Sequence, residues 1–465
     1  MTRKYFGTDG IRCKAGDFPL TKEFIQKLAY SAANVLAGEK TGHLKTKKVL
    51  IGADTRESAI WIFEALCHGF NKAGFAVDFA GTVSTPCLSI LTQKDKYSFG
   101  VMISASHNPY HDNGIKFFSN FGEKLSDEIE IKIEEKLNSL TNLNSNNFSN
   151  LFVYQNISLQ TYEIYKAFLL STFVKEPGKY FGFAGLKIGL DCANGSLFEA
   201  APKIFTELGA ETFVLANSPN GKNINQNCGS THLENLVDLI KSKADAHDNF
   251  HLGFAFDGDG DRVIAVRSDG KVLDGDFLLG ILAKFLKKKG ELQNNALALT
   301  VMSNLGLKLF LKAEKIDFFE TKVGDRYIYE SLLKKNLMLG GEQSGHIILK
   351  KYGNTGDGLL VALHIANIFR NIGRIKFFEI TDKIKILPQV LVNLRLDEKK
   401  DIFAIPEIQA EYQKIENILG DKGRILVRYS GTEPLLRIMI EGENQDEIKK
   451  LADGFAEKVK EKINA

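Results

Sequence analysis

Short apolar runs ending in Gly or Asp alternate with stretches of helical periodicity through most of the chain, the pattern of successive βαβ units. Early in the sequence, residues 49–52 read as a strand, about 56–72 as a helix, and 75–79 and 98–103 as two more strands. A second stretch repeats the order: strand 187–191, helix 197–208, strand 211–215, helix 233–241, strand 252–256. A third follows as helix 276–288, strand 297–301, helix 305–312, strand 318–321, helix 326–333 and strand 338–340. The strand ends Ile51-Gly-Ala-Asp54 and Ile188-Gly-Leu-Asp191 resemble one another, and each leads through a Ser-bearing turn into a helix. With the recurring order of elements, this points to tandem α/β domains of related design.

Beyond about residue 380 the pattern changes. Strands at 390–396, 425–428 and 436–441 and a final helix at 445–463 outline a smaller α+β domain. Residues 138–150 hold six Asn and three Ser and read as an exposed loop near the first boundary. The expected division is 1–155, 156–269, 270–382 and 383–465. At ~150 residues per domain, 465 residues alone would give about three domains, and four small ones also fit.

Composition narrows the class. The chain is 44% hydrophobic and 25% charged, which excludes disorder, collagen and coiled coil. A net charge of +3 is too small for a protein that coats nucleic acid, although a local cationic pocket remains open. Cys13, Cys67, Cys87, Cys192 and Cys228 form no C-x-x-C pair, so reduced structural thiols are expected. The N-terminus lacks an apolar signal core, and the longest apolar run, 277–286, already contains Lys284. A soluble cytoplasmic protein is expected.

Four loops carry candidate chemistry. In Phe256-Asp-Gly-Asp-Gly-Asp-Arg262, three carboxylates alternate with glycines after an apolar run, so Asp257, Asp259 and Asp261 can converge on a hard divalent cation. An EF-hand is excluded, because Arg262 and Ser268 stand at its sixth and twelfth positions. An acidic solvated turn is the plainer alternative, but Arg262 beside the triad suits an anion shared with the metal. In Ile103-Ser-Ala-Ser-His-Asn-Pro109, a serine beside a histidine is a candidate nucleophile or phosphate carrier, or simply turn chemistry. No G-x-S-x-G elbow is present, which lowers a hydrolase reading. In Leu339-Gly-Gly-Glu-Gln-Ser-Gly-His346, Glu342 and Ser344 offer an acceptor and a donor to hydroxyl groups, on what is by itself a modest loop signal. In Val427-Arg-Tyr-Ser-Gly-Thr-Glu-Pro-Leu-Leu-Arg437, two arginines flank a Ser-Gly-Thr loop that could form an anion nest or an ordinary β-turn. Together they supply a metal loop, a phosphorylatable serine, a hydroxyl reader and a phosphate nest, the parts needed to move phosphate on a sugar phosphate.

With these motifs in order along the whole length, and with Tyr5-Phe-Gly-Thr-Asp-Gly-Ile-Arg12 ahead of them, the chain resembles the α-D-phosphohexomutase superfamily. The resemblance implies three related α/β domains with mixed sheets plus a C-terminal α+β domain around a central cleft. It makes Ser106 the phosphoserine, and Asp257, Asp259 and Asp261 with Ser106 the ligands of one Mg²⁺ per chain. Arg12, His107, Lys116 and Arg262 fall at active-site cations and proton-transfer candidates, with His107 or Lys116 as the general base. Glu342, Ser344, His346, Gly324 and Asp325 would read the sugar. Arg428, Ser430, Gly431, Thr432 and Arg437 would hold the phosphate that is not transferred.

Gly-Glu-Gln-Ser-Gly, Ser-Gly-Thr-Glu-Pro and Val323-Gly-Asp-Arg326 resemble the glucosamine-phosphate branch of that superfamily. The implied reaction interconverts glucosamine-6-phosphate and glucosamine-1-phosphate, with glucosamine or glucose 1,6-bisphosphate as intermediate or activator. It would feed UDP-GlcNAc and cell-wall precursor synthesis. A phosphomannomutase/phosphoglucomutase is the alternative within the superfamily. The implied partner is a small hexosamine phosphate, with no nucleic acid or membrane, for a monomer or homodimer. Two departures flank contact residues: Cys13 replaces the usual Gly after Ile-Arg, and Tyr429 replaces a common Pro. Two other classes fit less well. An aspartate-nucleophile phosphatase using Asp257 and Asp259 would carry Thr or Val where Asp261 stands. A non-catalytic sugar-phosphate sensor has no need for Ser106 together with all three aspartates.

Overall fold

The computed structural model describes residues 3–7, 9–38, 46–94, 97–140, 152–173, 182–242, 249–396, 400–429 and 435–463. Packing divides the chain into two compact units, one of residues 1–302 and 316–381, the other of 303–315 and 382–465. The expected loop at 138–150 lies mostly outside the described residues.

The first unit holds three sheets. The first contains β1 (Ile11–Lys14), β2 (Lys48–Ala53), β3 (Ala76–Thr82), β4 (Phe99–Ile103), β5 (Asp112–Ser119) and β6 (Gln155–Asn156), in the order β1-β5-β4-β2-β3-β6. The second contains β7 (Lys187–Asp191), β8 (Glu211–Leu215), β9 (Leu252–Phe256), β10 (Val263–Arg267) and β11 (Val272–Leu273), in the order β11-β10-β9-β7-β8. The third contains β12 (Ala296–Thr300), β13 (Asp317–Thr321), β14 (Leu339–Gly341) and β15 (Ile347–Leu349), in the order β13-β12-β14-β15.

The expected kinship of the domains is visible in the strand pairing. In each sheet a central strand (β2, β7 or β12) is flanked by two parallel neighbours. One of those neighbours then turns back as an antiparallel hairpin: β4–β5, β9–β10 or β14–β15. Central strands covered on both faces read as continuous apolar runs, which is why they were legible. Val49, Ile51 and Ala53 of β2 join a core with Ala29, Ala32 and Ala33 of the helix Lys22–Gly38 and Ile62 and Leu66 of the helix Ala59–Lys72. Each fully buried Ile or Leu there contributes about 1.5–3 kcal/mol.

The second unit carries an antiparallel sheet, β16 (Gln389–Arg395), β18 (Leu435–Glu441) and β17 (Arg424–Tyr429), in that order across the sheet. Val390, Val392 and Leu394 alternate along β16 and pack on a core shared with the helices Pro406–Leu419 and Gln445–Ile463. The helix Leu305–Ala313 belongs to this unit through its N-cap Asn304, whose Oδ1 accepts from Gly306 N at 2.9 Å and Leu387 N at 3.0 Å. Among the described residues no helix is long and apolar enough to cross a membrane.

Candidate active site

The three antiparallel hairpins of the first unit carry the three loops singled out from the sequence. The β4–β5 connection holds Ser106, β9–β10 holds the aspartate triad, and β14–β15 holds Glu342 to His346.

Ser106 adopts φ +53°, left-handed backbone that costs of order 1–3 kcal/mol for a residue other than glycine. The surroundings over-determine it. Ser104 Oγ donates to Asp54 Oδ2 at 2.6 Å and accepts from Ser106 N at 2.9 Å. Arg56, wholly buried, pairs with Asp54 through Nε at 2.9 Å. Its Nη2 donates to the carbonyls of Ser106 (3.0 Å) and Asn108 (2.9 Å), and its Nη1 to those of Asp112 (3.1 Å) and Pro109. Asn225 Nδ2 reaches the Ser106 and Asn108 carbonyls from the second sheet's domain, at 2.9 and 3.1 Å. Gly258 permits the approach of the two loops, since a Cβ there would lie 2.6 Å from Ser106 O. So held, Ser106 Oγ donates to Asp257 Oδ2 at 2.6 Å and lies 3.3 Å from His107 Nδ1.

Asp257, Asp259 and Asp261 are buried, and one oxygen from each lies within 4.8 Å of the others. Asp259 Oδ2 accepts from Thr85 Oγ1 at 2.6 Å and Lys116 Nζ at 2.7 Å, and Asp257 Oδ1 from Arg262 N at 3.2 Å. Asp259 Oδ1 and Asp261 Oδ1 are buried without a hydrogen-bond partner. Such orphaned carboxylate oxygens, converging with no nitrogen or sulfur donor among them, fit a hard divalent cation such as Mg²⁺. Burial and the like charges of Asp261 and Asp259 push the Asp257 carboxyl well above the usual range. Burial and Asp261 work in the same direction on Asp259, but Lys116 and Thr85 bring it below that range.

The cations surround this triad. Lys116, on β5 and 1% exposed, sits between Asp259 and Asp9, with its Nζ 3.0 Å from Asp9 Oδ2. Burial works against its charge, yet Asp259 and Asp9 hold it above the ordinary lysine range. Arg12 pairs with Asp9 and donates to Ala105 O at 3.4 Å. Arg262 Nε lies 3.8 Å from Asp261 Oδ1. Burial, with Arg262 and Arg12 nearby, pulls the His107 imidazole down to about 4, so it is neutral at neutral pH.

The third hairpin turns tightly, with Glu342 N donating to His346 O at 2.9 Å and Gly345 N to Glu342 O at 3.0 Å. Ser344 stands exposed at its tip. Glu342 Oε1 accepts from Gly324 N at 3.0 Å, which ties this loop to Gly324 and Asp325. His346 Nε2 accepts from Gly356 N at 3.1 Å and its Nδ1 faces Asp261 Oδ2 at 3.4 Å, so the third domain touches the triad.

In the second unit Arg428 on β17 stands opposite Arg437 on β18. Burial and the charge of Arg437 lower the pKa of Arg428. Ser430, Gly431 and Thr432 lie outside the described residues. Arg56, Thr85, Asn225, Asp9 and Lys124 were not singled out from the sequence. Asp9 stood in a quoted motif, Gly7-Thr-Asp-Gly10, whereas the others carry no local signal.

Models of the phosphoglucomutase/phosphomannomutase family match the chain in order: alpha/beta/alpha domain I over residues 3–144, domain II over 172–270, domain III over 274–384 and the C-terminal domain over 391–458. A phosphoglucosamine mutase of Clostridium perfringens is 45% identical over 466 residues, covering 99% of this chain and 100% of the relative. A phosphoglucomutase/phosphomannomutase family protein from Burkholderia thailandensis has a crystal structure similar to this one at TM-score 0.78 and 20% identity, covering 98% and 96% of the two chains. Aspergillus fumigatus N-acetylphosphoglucosamine mutase, crystallised with GlcNAc-6P and magnesium, is similar at TM-score 0.62 and 16% identity over 98% and 95%. The likeness to these two structures is one of fold.

Proposed function

Since the chain belongs to the phosphoglucomutase/phosphomannomutase family, we propose that it interconverts glucosamine-6-phosphate and glucosamine-1-phosphate through a phosphoserine enzyme and a 1,6-bisphosphate intermediate. The observation that carries the reading is Ser106 Oγ, presented by a strained and fully braced loop at 2.6 Å from Asp257 Oδ2. A phosphoryl group on that oxygen would lie beside three convergent carboxylates and the cations Lys116, Arg12 and Arg262.

Asp257, Asp259 and Asp261, with an oxygen of phospho-Ser106, would hold one Mg²⁺, which when bound neutralises charge on the phosphoryl group. The chain's own residues do the rest. Lys116, kept charged between Asp259 and Asp9, and Arg12 and Arg262 stabilise the negative charge that spreads over the transferring group. His107, neutral and 3.3 Å from Ser106 Oγ, is placed to accept the serine proton when Ser106 takes a phosphate back from the bisphosphate. Glu342, Ser344, His346, Gly324 and Asp325 recognise the sugar. Arg428, Ser430, Gly431, Thr432 and Arg437 grip the phosphate that is not in transfer. After the first transfer the bisphosphate turns end for end and returns its other phosphate to Ser106, and glucosamine or glucose 1,6-bisphosphate primes an unphosphorylated serine. The reaction supplies amino-sugar nucleotide synthesis in the cytoplasm, by a monomer or homodimer.

The choice of an amino sugar rests on the 45% identity to a phosphoglucosamine mutase and on the Gly341-Glu-Gln-Ser-Gly345 loop. Its test is kcat/KM measured side by side on glucosamine-, glucose- and mannose-6-phosphate. A clear preference for glucosamine-6-phosphate is expected. A preference for glucose or mannose would move the chain to the phosphoglucomutase/phosphomannomutase activity.

A further inference from the structure

A file of alternating charges leaves the aspartate triad and ends at the sugar-reading loop. Lys116 Nζ bridges Asp259 Oδ2 at 2.7 Å and Asp9 Oδ2 at 3.0 Å. The other oxygen of Asp9 pairs with Lys124, which also pairs with Asp325 Oδ2. Close to its end lies His346, whose Nε2 accepts from Gly356 N and is 3.7 Å from Asp325 Oδ2, and whose Nδ1 is 3.4 Å from Asp261 Oδ2. The file therefore starts in the triad, ends at Asp325 and passes through all three α/β domains. Lys124, on the return of the chain after β5, bridges Asp9 in the first domain to Asp325 at the head of a helix in the third. Asp325 follows Gly324, whose N–H is held by Glu342.

We propose that Lys124 is a positioning residue that couples occupation of the Asp257–Asp259–Asp261 site to the placement of the Gly324–Asp325 loop. A divalent cation on the triad competes with Lys116 for Asp259 and repels it, so Lys116 leans on Asp9. Asp9, drawn further by Lys116, releases part of its hold on Lys124, and Lys124 settles on Asp325. The partly buried setting keeps solvent from screening each exchange; side-chain exposure along the file is 2% at Lys116, 21% at Asp9, 19% at Lys124 and 17% at Asp325. The inference rests on the proposed reaction only in the choice of probe. Because the coupling is between binding equilibria it is reciprocal: the cation tightens the sugar phosphate by the factor with which the sugar phosphate tightens the cation.

The test is calorimetric titration of the full-length, dephosphorylated chain with MgCl₂, with and without saturating glucosamine-6-phosphate. In the parent chain the sugar phosphate is expected to tighten Mg²⁺ roughly tenfold. Lys124→Met should bring that ratio close to one, and Lys124→Arg should restore most of it. Weakened folding alone would lower the melting temperature and leave the ratio in the folded protein unchanged. An unaltered ratio in Lys124→Met overturns the proposal. If Lys124→Met does not fold, Asp9→Asn serves in its place, with the same loss expected and the same unaltered ratio overturning it. If the parent chain binds no glucosamine-6-phosphate, the proposed reaction fails, and glucose-6-phosphate or mannose-6-phosphate replaces it as the probe of the same ratio.

Discussion

Arginine is used in opposite ways at the Ser106 loop and at the β17–β18 strand pair. Arg56 directs all five N–H donors into the protein, one at Asp54 and four at the carbonyls of the Ser106 loop. Its charge is balanced and its geometry fixed before any ligand arrives. Arg428 instead faces another arginine across neighbouring strands, an arrangement that costs stability in the free protein. The first arginine builds a loop; the second keeps two positive charges close together, as the proposed phosphate grip would need.

The contrast can be broken in three places. Ser106→Ala keeps the braced loop and removes the reacting oxygen, so turnover should fall by at least about 10⁴-fold, and intact mass should show no phosphate on the protein. Mutase activity retained in that variant would end the phosphoserine reading. Arg56→Met leaves Asp54 buried without its cation and should cost about 3–5 kcal/mol in denaturant unfolding of the first unit, with activity lost alongside. An Arg56→Met protein as stable as its parent would show that the bracing is ornamental. Arg428→Gln should raise KM roughly tenfold to hundredfold while the melting temperature holds or rises, because a repulsion is removed with the ligand contact. If it unfolds the second unit instead, the strand-pair arginines are structural and the contrast collapses.

Much of the framework was legible because it is local. β7 and β9 match the expected strands residue for residue, since each buries a short apolar run that ends at an Asp, Ile188-Gly-Leu190 before Asp191 and Leu252–Phe256 before Asp257. The helix expected from residue 56 begins at Ala59, because Arg56 is drawn inward to the Ser106 loop. The long helix Gly358–Lys383 escaped notice. Its first half is buried nearly all round, so it lacks an amphipathic stripe, and Gly373 at φ +76° interrupts it. The motif residues were readable because each group lies on one loop. Arg56, Thr85, Asn225 and Lys124 were not, since their roles arise from partners 50 to 201 positions away in sequence. Nothing in Ala53-Asp-Thr-Arg56 marks that arginine as the scaffold of a distant serine.

The three equivalent hairpins have a consequence for how such a molecule changes. Ser106, the three aspartates and the Glu342–His346 loop, to which the reaction, cation binding and sugar recognition are assigned by proposal, each occupy the tip of one β-hairpin, in sheets that repeat the same strand order. The framework below each tip is indifferent to the residues it displays, as three unlike loops on one design demonstrate. On the proposed roles, substrate preference can therefore drift through the β14–β15 tip while the serine and its aspartates stay untouched. Inherited chemistry and acquired taste are separable modules, and a family built this way can diversify its sugars without reinventing its reaction.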